Sequence, residues 1–227
     1  MLPSAPAASV PGTLVLHELS GSWAHGTNTS TSDEDWRGVF LLPNSAFLGL
    51  DRATQTCEAP PDQVFWELGH FCRLLLKGNP NLVGMLFAPD DCVALAHPVV
   101  APLFDARAAF LHRDMVASYM GWVHRELRDI AKLHKGHPKR LSHVPRLLWE
   151  VQSAILHQMI DVRPPEDRRQ AIVAIKTERM RYDDAVAFCG SLLLDTERVV
   201  EMSPTLPDPP RRWLLEYLLD AREAYGR

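Results

Sequence analysis

Cysteine is scarce in this chain and is not arranged for any structural task. Cys57, Cys72, Cys92 and Cys189 are the only four in 227 residues. They form no C-x-x-C pair and have no histidine at metal-ligand spacing, which argues against both a structural zinc and a disulfide framework. Reduced thiols in a cytoplasmic protein are expected instead. Long apolar runs are missing too. No stretch approaches the roughly 18–20 residues that span a bilayer, so no membrane partner is expected. An excess of positive charge is absent, with 24 Lys and Arg against 28 Asp and Glu and a net charge of −4. That excludes a wholly basic nucleic-acid coat while leaving room for a local basic patch. No Gly-Lys-Ser/Thr closes a glycine loop, so a Walker-type P-loop is absent. His134, His137 and His143 are spaced too irregularly to make a zinc site on one helix face. Residues 1–12 are rich in Pro, Ala and Ser. Without a basic start or a long apolar centre, they read as a disordered terminus rather than a signal peptide.

What is present is ordinary globular material: 46% hydrophobic and 23% charged residues, in a length that suits one domain with an appendage. Thr13–Leu19 and Asp35–Leu42 read as strands, and Asp62–Trp66, set off by Pro60-Pro61, as a third. Glu67–Lys77 carries apolar residues at helical spacing and meets stop chemistry at Gly78-Asn79-Pro80. After Pro102 the pattern turns helical, over about 107–135, 138–159, 165–178, 182–201 and 211–225, with Pro145 expected to kink or restart the second of these. The organisation is α+β: a small mixed sheet with helices over 13–105, a helical part over 106–202, then a Pro-rich connector and last helix over 203–227.

The chemistry concentrates in "LSGSWAHGTNTSTSDEDWRGVFLLP", Leu19 to Pro43. Gly21-Ser22 after a strand opens a turn whose N–H groups and hydroxyl suit an anion. In a strand, residues two apart share a face, so Asp33, Asp35 and Arg37 project together. Paired carboxylates repel unless a cation lies between them, and Mg²⁺ prefers a few carboxylate oxygens with water and phosphate filling its other positions. Such a pair is a platform for metal-assisted phosphoryl or nucleotidyl transfer, with Arg37 to grip phosphate. Asp62 and Glu67 are both candidates for a third acid. They differ by an odd number and would face opposite ways in a continuous strand, and Glu67 also suits a helix N-terminus. In "KRLSHVPRLLWE", Lys139, His143 and Arg146 stand at i, i+4 and i+7, a basic stripe on one helix face.

These blocks together resemble the DNA-polymerase-β-like nucleotidyltransferase superfamily. The branch they are similar to is the one that includes the polymerase-β-family protein of bacterial RNA-repair operons. Leu19–Pro43 carries the likeness, as does "DQVFWELGHFCRLLLKGNPNLVGMLF", Asp62 to Phe87. Residues of about 13–190 are covered in outline, including the Lys139–Arg146 helix and "DVRPPEDRRQAIVAIKTERM". Gly84 departs from a commonly acidic position of the branch. The resemblance implies that Asp33, Asp35 and Asp62 are the catalytic and metal-binding acids, holding two Mg²⁺ ions, or Mn²⁺ in their place. Asp62 is preferred to Glu67 because it better matches the branch's acid. Gly21, Ser22, Arg37, Lys139, His143 and Arg146 would bind a nucleoside triphosphate, with His25 beside it and Arg163 able to reach a phosphate. The expected reaction moves a nucleoside monophosphate to an acceptor hydroxyl, an RNA end foremost, and releases pyrophosphate. The alternatives are a non-catalytic nucleotide- or RNA-binding module of the same fold, antitoxin-like in one version, and an unrelated helical interaction protein. Base stacking on Trp122 or Trp149 is a further expectation.

Overall fold

The computed structural model describes residues 2–48, 50–132, 137–203 and 206–226. His134, the last residues of the helix expected to reach Lys135, and positions 204 and 205 of the Pro-rich connector lie outside them. Five strands make one mixed sheet: β1 (Thr13–Leu19), β2 (Trp36–Leu41), β3 (Thr56–Ala59), β4 (Gln63–Glu67) and β5 (Val93–Ala96). Their order is β3-β4-β2-β1-β5. β2 and β4 run parallel, and the other neighbours are antiparallel. Single helical turns α1 (Gly21–Ala24) and α2 (Ser45–Leu48) follow β1 and β2. Then come α3 (Leu68–Leu76), α4 (Pro80–Val83) and α5 (Ala101–Asp105). The helical part that follows holds α6 (Arg113–Lys132), α7 (Pro138–Leu141), α8 (His143–His157), α9 (Glu166–Lys176), α10 (Tyr182–Met202) and α11 (Arg211–Tyr225). The fold is α+β, as the pattern predicts.

Burial explains why these segments pair. Val15, Leu16, Leu19, Val39 and Leu41 of the two central strands join the helices in one large core. Phe40, Leu42 and Phe65 form a smaller cluster, against which Ala8 and Val10 of the N-terminal segment pack. Gly38 permits this closeness: a Cβ there would stand 2.5 Å from the Leu16 carbonyl oxygen and 2.7 Å from the Phe65 ring. α3 buries Leu68, Phe71, Cys72 and Leu75. It ends at Gly78, whose positive φ of 62° lets the Gly78 and Asn79 N–H groups reach back to the Leu75 and Leu74 carbonyls, a glycine stop of the expected kind.

Two helical expectations are corrected in detail. The helix expected from residue 107 begins at Arg113, because Arg107–Phe110 closes into a separate 3₁₀ turn and buried His112 caps the new start, its Nδ1 accepting from the Met115 N–H at 3.1 Å. The pattern over 138–159 divides into α7 and α8, with Pro145 in the first turn of α8, where its missing N–H costs nothing.

Candidate active site

The turn after β1 is built around Gly21. Its φ of 58° is left-handed, and a Cβ on it would lie 2.1 Å from Asp35 Oδ2. The Ser20 N–H donates to the Asp35 carbonyl at 2.7 Å, so the turn and the acidic segment leading into β2 are clamped side by side. β1 pairs with β2 through Leu19 opposite Trp36 and Glu18 opposite Arg37. Asp35 and Arg37 therefore stand at the end of the sheet face that continues into Val39 and Leu41 of the main core. The end of that face opens into a cavity of about 790 Å³, lined from the sheet by Gly21, Ser22, Asp33, Asp35 and Arg37. Lys139, His143 and Arg146 of the helical part line the same cavity. Eight of the nine residues expected to bind metal or nucleotide thus converge on one space. A Gly21→Ala substitution forces a side chain into a left-handed backbone and against Asp35. We expect it to cost about 1–2 kcal/mol of stability in urea unfolding and to abolish nucleotide binding in calorimetry.

Asp62 is the exception. It is exposed, sits in the turn before β4 with φ of 37°, and is not among the residues lining the cavity. What ties it to the sheet is its backbone, whose carbonyl accepts the Trp36 N–H at 3.0 Å. Glu67 is no substitute. It is buried at 2% exposure and caps α3, its Oε2 accepting the Gly69 N–H at 2.7 Å and its Oε1 accepting from Arg222 at 2.5 Å. The geometry therefore does not bring the expected third carboxylate to Asp33 and Asp35. Among the described residues no group of three or more His, Cys, Asp and Glu is placed to hold a metal. The pair alone still suits one Mg²⁺: hard oxygen donors, few in number, facing a space that admits water and phosphate.

Cations surround this pair. Lys176 at the end of α9 donates to Ser32 Oγ at 3.1 Å and to the Thr27 carbonyl at 3.3 Å; burial and the Lys139 charge lower its ammonium pKa against the pull of Asp35 and Asp33. Sequence reading missed Lys176, although it lies in the "DVRPPEDRRQAIVAIK" block, because its contact with the Thr27–Ser32 loop spans some 145 residues. Arg146 donates to buried Glu150 at 2.7 Å, which fixes it at the cavity wall. Arg37 donates to the Asn81 carbonyl at 3.4 Å. Glu18, directly across from Arg37, is buried, and burial pushes its carboxyl well above the usual range against the pull of Arg37. Arg163 is committed elsewhere: it forms a two-pronged pair with Asp91 at 2.8 and 3.0 Å and also donates to the Ala24 carbonyl. It braces α1 and does not line the cavity. His25 lines it, donating from Nδ1 to the Val162 carbonyl at 2.8 Å. Trp122 lines it as well, whereas Trp149 does not.

Both cavity histidines are held neutral. Burial, then the Arg146 charge, lowers His25 well below its ordinary value. Burial first, then Arg146, Lys139, Lys176 and Arg37, takes His143 from 6.5 down to about 4. At His143 the unfolded chain therefore takes up a proton near pH 6.5 that the folded chain refuses until about pH 4. This contribution to stability is complete above pH 6.5 and is lost progressively as pH falls through that window, and His25 acts in the same direction. Urea midpoints measured from pH 7 to 4 should fall, and a His143→Asn variant should show a shallower fall.

A model of the RNA repair pathway DNA polymerase beta family matches residues 6–185, more than half of the chain and every residue that lines the cavity. No curated protein matches it. No described helix is long and apolar enough to cross a membrane.

Proposed function

The chain belongs to the RNA repair pathway DNA polymerase beta family, and from that membership together with the cavity we propose a Mg²⁺-dependent nucleotidyltransferase. The observation that carries the reading is that Asp33 and Asp35 share one cavity with the Gly21-Ser22 turn and with Lys139, His143, Arg146 and Lys176. Asp33 and Asp35 would hold the metal, which when bound polarises the α-phosphate and offsets the charge that develops there. The Gly21-Ser22 turn receives the β- and γ-phosphates, with Lys139, Arg146, Lys176 and Arg37 supplying fixed positive charge at no cost of reorganisation. Neutral His143 donates one hydrogen bond and adds no charge. An acceptor hydroxyl oxygen bonds to the α-phosphorus in line, its proton passing to solvent, as the bond to the bridging oxygen breaks and pyrophosphate leaves. An RNA end is the favoured acceptor, in keeping with the family's description, and the cytoplasm is the proposed location.

One observation favours a second reading, a non-catalytic nucleotide- or RNA-binding module. Asp62 stands outside the cavity and Glu67 is consumed by its cap and by Arg222. A single assay separates the two. The protein is incubated with Mg²⁺, each labelled nucleoside triphosphate and an RNA mixture, and label transfer and pyrophosphate are followed. Transfer supports the enzyme. Nucleotide binding without transfer to RNA, protein or small molecules supports the module.

A further inference from the structure

The proposed chemistry accounts for the acidic and cationic side of the cavity and leaves its other wall without a task. That wall is α6, which presents Ser118, Trp122 and Arg125 to the cavity at i, i+4 and i+7, one face of a helix. Trp122 is the only Phe, Tyr or Trp among the described residues lining the space. It is half-buried, so part of its indole packs on the core while the rest stays open to the cavity. Its ring meets the His143 ring edge to face, with centroids 6.3 Å apart and planes at 88°. His143 in turn stands on the wall that carries Lys139 and Arg146. A flat aromatic surface is thus fixed one ring away from the cationic stripe. The aliphatic side chains of Leu74 and Leu147 line the same cavity. A triphosphate alone gives no use to an aromatic face or to aliphatic walls. A nucleoside triphosphate does, because every base has a π-face that stacks on an indole irrespective of sequence.

We propose that Trp122 is the stacking platform for the base of the donor nucleotide, held in place by the edge-on contact with His143. This rests on the triphosphate reading of the cationic wall, and it adds a base subsite contributed by the helical part of the chain. Purines, with the larger ring area, bind it more tightly than pyrimidines. A base of the acceptor strand is the other source of the same chemistry, and the test separates the two.

The test is calorimetric binding of ATP, CTP and inorganic tripolyphosphate with Mg²⁺, and in separate titrations of a short RNA, to the full chain and to Trp122→Leu and Trp122→Phe variants. Leucine keeps the apolar packing on the core and phenylalanine keeps an aromatic face. Trp122→Leu is expected to weaken ATP about tenfold or more, to weaken CTP less, and to leave tripolyphosphate unchanged, while Trp122→Phe recovers most of the ATP affinity. ATP binding indifferent to Trp122→Leu overturns the inference and leaves the triphosphate reading standing. An equal loss for ATP and tripolyphosphate also overturns it, since Trp122 would then only shape the phosphate end. Loss confined to binding of a short RNA assigns the platform to the acceptor and overturns the donor assignment. Failure of the unaltered chain to bind either ATP or tripolyphosphate overturns the triphosphate reading and the inference together.

Discussion

Asp35→Asn is expected to reduce nucleotidyl transfer by on the order of a hundredfold or more, with the folded state retained. The change is isosteric, and at Asp35 the backbone does the structural work: its carbonyl receives the Ser20 N–H at 2.7 Å. What is lost is one of two negative charges facing a cavity whose lysine and arginine lining residues are Arg37, Lys77, Arg125, Lys139, Arg146 and Lys176. The amide cannot replace it as a metal ligand of equal charge. Asp62→Asn is the matched comparison. Because Asp62 is exposed and lies outside the cavity, its substitution should leave transfer within about twofold of the unaltered chain, in the range of an ordinary surface change. Label transfer at saturating nucleotide measures both. A loss at Asp62 equal to that at Asp35 would restore the three-acid arrangement that the sequence implies and refute the proposed two-acid site.

That contrast marks where the sequence was legible. Gly21-Ser22 and Asp33-x-Asp35 lie within one hairpin-like crossing from β1 to β2, so short-range spacing suffices to place them together. Lys139, His143 and Arg146 were readable as a stripe because helical periodicity survives the break before His143, α7 and α8 being nearly continuous. β3 and β5 were not legible. Each is four residues long at a sheet edge, too short for alternation to rise above loop composition. The position of Asp62 outside the cavity has a conformational reason. Strand periodicity assumes extended backbone, and Asp62 has a left-handed φ of 37° just before β4 starts, so its side chain escapes the alternation that Gln63–Glu67 obeys. Lys176 was missed for a topological one. It reaches the site only because the helical part folds back over the sheet end, which no local spacing encodes.

The same long-range logic makes Arg222 a stability determinant at the far end of the chain. Glu67 is 2% exposed, and its carboxylate joins three elements: it caps α3 through the Gly69 and His70 N–H groups and receives Arg222 of α11 at 2.5 Å. Arg222 also lies over the Phe47 ring at 4.1 Å and donates to the Leu42 carbonyl at 3.4 Å. A buried ion pair adds little over an apolar pair, but removing one partner strands the other charge. Arg222→Ala should therefore destabilise the chain by about 3 kcal/mol, read as a lower urea midpoint. Glu67→Gln with Arg222→Ala should cost less than the sum of the two single changes, because the amide keeps an acceptor for the α3 cap while no charge is left without a partner. Nucleotide affinity is the decisive second readout. Glu67 and Arg222 lie outside the cavity, so at a temperature where the variants are folded, binding should be unaltered. A loss of binding that outruns the loss of stability would mean that Glu67 serves the site after all. Additive single effects would mean that the pair is not coupled and that α11 is held by its other contacts, its apolar face and the Tyr217 hydrogen bond to the Val99 carbonyl among them.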